Sequence, residues 1–135
     1  MSIPEEGSAI RPLILVVDDY DDSREMYAEL LKSSGFRVAE ARDGTQSLQK
    51  AQELLPDLVL MDLTLPGIDG CEATRRLKLD PRTRNIPVVA LTGHDAPALK
   101  EVAAGIHWDA FLTKPCMPEA LLAELKRALA RARAS

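Results

Sequence analysis

Cysteine is scarce in this chain: Cys71 and Cys116 stand far apart, and neither belongs to a CxxC pair. That excludes a disulfide framework and a thiolate zinc site, and reduced thiols in a cytoplasmic protein are expected. No apolar run approaches the ~20 residues of a membrane-spanning helix, so no membrane insertion is expected. The opening MSIPEEGSAIRP lacks a charged stretch followed by an apolar one and does not read as a secretory signal. A surplus of positive charge is also missing: 17 Lys and Arg face 21 Asp and Glu, for a net charge of −4. Broad nucleic-acid binding needs a positive field, so no direct contact with nucleic acid is expected. The cations that cluster late, Lys126, Arg127, Arg131 and Arg133, read as a match for the C-terminal dipole of a last helix.

What is present is a core. Hydrophobic residues make up 46% of 135, enough for one domain and too few residues for two. Residues 1–10 read as a flexible leader, 11–132 as the folded body and 133–135 as a short tail. Two periods alternate along that body. Leu13 to Val17 is a continuous apolar run, as expected for a strand covered on both faces. Leu58 to Met61 and Pro87 to Leu91 repeat the pattern, Phe36 to Ala41 reads as a second, shorter strand and Ala110 to Leu112 as a short fifth.

Between the strands lie helical stretches. One starts near Asp22, with Asp22 and Glu25 at capping-box spacing and Met26, Tyr27, Leu30 and Leu31 on its inner face, and stops at Gly35. A second opens at Asp43, carries Leu48, Ala51 and Leu55, and ends at Pro56. A third runs to Leu79, a fourth from Asp95 to Gly105, and a fifth from Pro118 with Leu121, Leu122, Leu125 and Leu129 inward. Strict alternation predicts a doubly wound, five-stranded parallel α/β sheet, flavodoxin-like order 2-1-3-4-5, with five helices on two faces.

Polar residues gather at the expected strand ends: Asp18 and Asp19 after the first, Asp62 after the third, Thr92 after the fourth and Lys114 after the fifth. Open parallel sheets bind ligands outside the carboxyl ends of their strands. Taken singly, each aspartate reads as a turn or helix-cap residue. Taken together, Asp18, Asp19 and Asp62 converge, because the first and third strands are central neighbours. Three close carboxylates repel one another unless a cation intervenes, and Mg²⁺ is suited to such oxygen ligands. An aspartate beside Mg²⁺ can serve as a nucleophile toward phosphorus. Lys114 and Thr92 suit the phosphoryl oxygens, and Gly93 leaves space for them.

The segments VVDD ending at Asp19, LVLMDLTLPGIDG around Asp62, VVALTGH around Thr92 and AFLTKP ending at Pro115 resemble the receiver domain of two-component response regulators, from about Arg11 to Leu129. The resemblance implies that Asp62 is the phosphoacceptor. It implies that Asp18, Asp19, Asp62 and the backbone carbonyl of Thr64 hold Mg²⁺. Thr92 and Lys114 would bind the phosphoryl group, Phe111 would be a switch aromatic, and Lys114-Pro115 would be a cis peptide. The switch would couple phosphate to the face built from the fourth helix, fifth strand and fifth helix. The implied partners are a histidine kinase or histidine phosphotransfer protein, an unknown downstream protein, and a second copy in a phosphorylation-linked homodimer. The chain would catalyse only its own aspartyl phosphorylation and dephosphorylation. A phosphorelay shuttle, or a receiver piece of a hybrid kinase or multidomain regulator, is the alternative.

Other residues carry less. His94 reads equally as a modulator of water access or as an exposed loop residue. Trp108, with His107, reads as partly packed rather than as a partner surface. Cys71 reads as a small residue near a helix start, and Cys116 replaces the aromatic that often follows Lys-Pro in the family. A nucleotide- or flavin-binding module is disfavoured because the first strand–helix turn offers Asp18, Asp19, Asp21 and Asp22 where such modules place phosphate-cradling amides. An aspartate phosphatase is disfavoured by Thr64 at the usual acid/base position and by the lack of a cap insertion.

Overall fold

The computed structural model describes residues 11–63, 70–93, 108–114 and 116–134. Five strands form one sheet: β1 (Leu13–Val17), β2 (Arg37–Ala41), β3 (Leu58–Asp62), β4 (Val88–Thr92) and β5 (Ala110–Thr113). Their order is β2-β1-β3-β4-β5 and every pairing is parallel. Four helices lie among the described residues: α1 (Asp21–Ser33), α2 (Gly44–Leu54), α3 (Gly70–Leu79) and α4 (Pro118–Ala134). The helix expected between Asp95 and Gly105 lies outside them.

The continuous apolar runs follow from burial on two faces. In β3, Leu58 and Leu60 point to one side and pack with Tyr27 and Leu31 of α1 and Leu121 and Leu125 of α4. Val59 and Met61 point to the other and pack with Ala51 of α2 and Ala73 and Leu77 of α3. Period-two alternation thus feeds two separate cores, and both must be apolar. Each fully buried Leu or Val stabilises the fold by roughly 1.5–3 kcal/mol relative to leaving it in water. Among the described residues, no helix is long and apolar enough to cross a membrane.

Helix boundaries show how local chemistry acts. Asp43 caps α2, its carboxylate accepting from the Gln46 N–H. Gly35, at φ 97°, takes the left-handed turn after α1. Three expectations are corrected. Tyr20, not Asp22, occupies the N-cap of α1 and makes no side-chain cap; Asp21 and Asp22 instead supply negative charge in the first turn. The inner face of α1 is Arg24, Tyr27, Ala28 and Leu31, and Met26 is 57% exposed. The helix is rotated because a charged residue, Arg24, takes a buried position that a hydrophobic pattern assigns to an apolar one. Leu55, expected inward, is exposed because it forms the left-handed C-cap of α2.

Candidate functional site at the carboxyl rim

Parallel pairing places every strand's carboxyl end on one rim. Val17 of β1 pairs with Met61 of β3, so Asp18 and Asp62 emerge side by side. Asp18 is 1% exposed and Asp62 3%, whereas Asp19 faces solvent. Carboxylate oxygens of Asp18, Asp19 and Asp62 lie within 4.8 Å of one another.

Lys114 closes the group from β5. Its Nζ stands 3.1 Å from Asp18 Oδ2 and 3.3 Å from Asp62 Oδ2. Its own backbone N–H donates to the Thr92 carbonyl at 2.7 Å, fixing it to the end of β4. Burial works against the Lys114 ammonium, yet the charges of Asp62 and Asp18, with hydrogen bonds to both, hold its pKa above the ordinary lysine value. The side chain is therefore cationic throughout the neutral range.

Asp18 is held on all sides. Its Oδ1 accepts from the Tyr20 N–H at 2.9 Å, and its Oδ2 accepts from the Ser23 hydroxyl at 2.7 Å. Its N–H donates to the Ala41 carbonyl at 3.1 Å. Thr92 differs: its hydroxyl is fully buried and has no hydrogen-bond partner among the described residues. An unsatisfied buried hydroxyl at a rim of ionisable groups is chemistry awaiting an acceptor.

These residues fit a divalent cation. Three carboxylates meet one ammonium, which leaves two negative charges to balance. All the donors the carboxylates offer are oxygen, the preference of hard ions such as Mg²⁺. A cleft of about 490 Å³ lies elsewhere, lined in part by Lys78, Trp108, Asp109 and Arg131, and contains none of this set.

The structure therefore brings together Asp18, Asp19, Asp62 and Lys114, with Thr92 at the end of the adjacent strand. Thr64, Pro115 and His94 lie outside the described residues, and with them the expected Thr64 carbonyl ligand and the expected cis Lys114-Pro115 peptide. At Gly93 an added Cβ would meet no atom of the described residues within 4 Å. Phe111 is half-buried on the α3 side of the sheet and meets Trp108 edge-on, ring centroids 6.0 Å apart. Trp108 is thus packed, as expected. Cys71 is buried near the start of α3, while Cys116 is partly exposed after the site.

Two residues escape a sequence reading. Gly70 stands so close to the end of β3 that a Cβ there would fall 2.2 Å from the Asp62 carbonyl oxygen and 2.7 Å from Leu63 Cα. The only sequence signal is its place in the turn dipeptide Asp69-Gly70. Arg24 donates to the Asp18 carbonyl from beneath. Its signal is its spacing with Tyr27, Ala28 and Leu31.

Comparison with known proteins agrees with this rim. The family model of the response regulator receiver domain matches residues 14–126. The phosphate regulon transcriptional regulatory protein PhoB of Pseudomonas aeruginosa is 39% identical over 118 residues, covering 87% of this chain and 52% of PhoB. The chain thus spans about half the length of the curated relatives it matches. The chemotaxis protein CheY4 of Vibrio cholerae is similar at 30% identity and a TM-score of 0.81, covering 87% of this chain and 98% of that one. The receiver domain of a sensor histidine kinase from Pseudomonas aeruginosa PAO1 matches at 32% identity and a TM-score of 0.79, covering 93% and 99%, and was crystallised with a magnesium ion coordinated in its active-site cleft. With the family model matching most of its length and the strand order in agreement, the chain belongs to the response regulator receiver domains of two-component signalling.

Proposed function

We propose that this domain is a phosphorylation-dependent signalling switch that accepts a phosphoryl group on Asp62. The observation that carries the reading is the convergence of Asp18, Asp19 and Asp62 within 4.8 Å, with Lys114 bridging Asp18 and Asp62. When bound, Mg²⁺ supplies positive charge for the crowded carboxylates and for phosphoryl oxygens. Asp18, Asp19, Asp62 and the Thr64 carbonyl would hold it. An Asp62 oxygen forms the new P–O bond as the P–N bond of a donor phosphohistidine breaks. The bond electrons return to the donor imidazole, which takes up a proton. Lys114 meets the charge on the transferred group, and the Thr92 hydroxyl finds in it the acceptor it lacks. The same groups later orient water for hydrolysis, so the chain turns over no external substrate.

Drawing Thr92 inward leaves room for Phe111 to follow, which changes the face made by β5, α4 and the helix expected before β5. That face would carry output or phosphorylation-linked pairing with a second copy. The donor is a histidine kinase or phosphotransfer protein in the cytoplasm. A second reading has its own support: PhoB is a transcriptional regulatory protein about twice as long as its match to this chain. The domain would then be the receiver part of a longer regulator, with output through an adjoining segment. Folded residues 11–132 would serve either way.

The test is radiolabelled acetyl phosphate with Mg²⁺. Wild type should incorporate phosphate and Asp62→Asn should not. Undiminished labelling of Asp62→Asn sinks the assignment.

A further inference from the structure

Arg24 is a charged residue in a place where charge is rarely left. Its side chain is 9% exposed, on the inner face of the first turns of α1. The guanidinium donates to three acceptors on three segments: Nη1 to the Asp18 carbonyl at 3.1 Å, Nη2 to Asp21 Oδ1 at 2.7 Å, and Nε to Glu40 Oε1 of β2 at 3.0 Å. Asp18 is thereby tied to β2 twice, by its N–H to Ala41 and by its carbonyl through Arg24 to Glu40. Lys50 also donates to the Glu40 carbonyl, which anchors the far end of the tie.

We propose that Arg24 is a positioning residue for the cation site: it fixes the backbone from which Asp18 and Asp19 project, and it neutralises Asp21 and Glu40 so that they do not compete as anionic ligands. This rests on the functional reading above. The planar fork matters, because its fixed donors reach three acceptors spread around the guanidinium, whereas an ammonium is a compact charge that would have to draw all three acceptors around a single atom.

Geometry and simple electrostatics predict opposite signs here. Removing one cation near three carboxylates makes the site more negative, and charge alone would tighten Mg²⁺ binding. Loss of a positioning residue instead loosens it, by roughly 10–100-fold where ligand-orienting partners are removed.

The experiment is an NMR titration with MgCl₂, following the amides of Asp19 and Asp62, on wild type, Arg24→Met and Arg24→Lys. Folding is checked without metal by circular dichroism. A core variant on the opposite face, Leu77→Ala, serves as a destabilised reference that should keep wild-type affinity. Both Arg24 variants should bind Mg²⁺ at least roughly tenfold more weakly. Arg24→Lys keeps the net charge and carries the test alone if Arg24→Met does not fold. Wild-type or tighter affinity in a folded Arg24 variant overturns this inference alone, as does an equal loss in Leu77→Ala. Absence of Mg²⁺ binding by wild type overturns the functional reading, and this inference with it.

Discussion

Thr92 carries a hydroxyl that is costly as it stands and that the proposed function puts to use once a phosphoryl group is bound. Buried and without a partner among the described residues, it forfeits the desolvation cost of a lone polar group, about 1–3 kcal/mol. Thr92→Val keeps the shape and removes the orphan. The expected outcome is a resting domain more stable by about 1 kcal/mol in urea unfolding, with weaker binding of beryllofluoride, a phosphoryl mimic, in the presence of Mg²⁺. A destabilised variant with unchanged beryllofluoride affinity would show that the hydroxyl serves packing alone. Asp18, Asp19, Asp62, Thr92 and Lys114 were legible together, because parallel topology gathers the ends of their strands on one rim, although each taken singly has an ordinary structural reason to be there. Arg24 was not legible. Its merit lies in three acceptors contributed by the turn after β1, the first turn of α1 and β2, and a hydrophobic pattern can only count a charge as a solvent-facing position.

At the scale of elements, α3 presses on β3 at Gly70. The N–H of Gly70 donates to the Leu63 carbonyl, and the missing side chain is what lets the two backbones approach. Gly70→Ala puts a methyl against backbone that cannot swing aside, so the end of β3 must move. We expect a loss of roughly 1–3 kcal/mol in stability, as in overpacked cores. Phosphorylation should fall further than the fraction unfolded explains, because Asp62 moves with its carbonyl. A variant as stable and as active as wild type would mean that the turn relaxes elsewhere. Most of the strands were readable as apolar runs alternating with helical periods, as expected of a sheet covered on both faces, and their order followed from the doubly wound topology expected of the chain. Cap details were less so: Asp43 behaves as its type suggests, whereas Asp22 yields the start of α1 to the geometry of the chain leaving Asp18.

Over the whole molecule, residues 96 positions apart in sequence meet at one ion pair, Lys114 with Asp18. Such convergence is predictable only because parallel topology gathers strand ends on one side. The same topology sets Phe111 beside β4, two strands from β3, and against Trp108, which is the single tryptophan of the chain. Its fluorescence is therefore a native reporter of any movement of Phe111. Beryllofluoride with Mg²⁺ should alter Trp108 emission in wild type and leave it unaltered in Phe111→Leu. Constant wild-type emission on saturation would remove the proposed coupling between phosphate and the β5 face.

The acidic trio is also lopsided: Asp18 and Asp62 are enclosed and tethered, while Asp19 stands at the water's edge. Under the proposed function a cation would enter past Asp19, and its loading would be paced by how reluctantly Mg²⁺ sheds its hydration shell. On the proposed function, the resting switch would then be charged with metal before a donor arrives, and its timing would belong to the encounter with that donor.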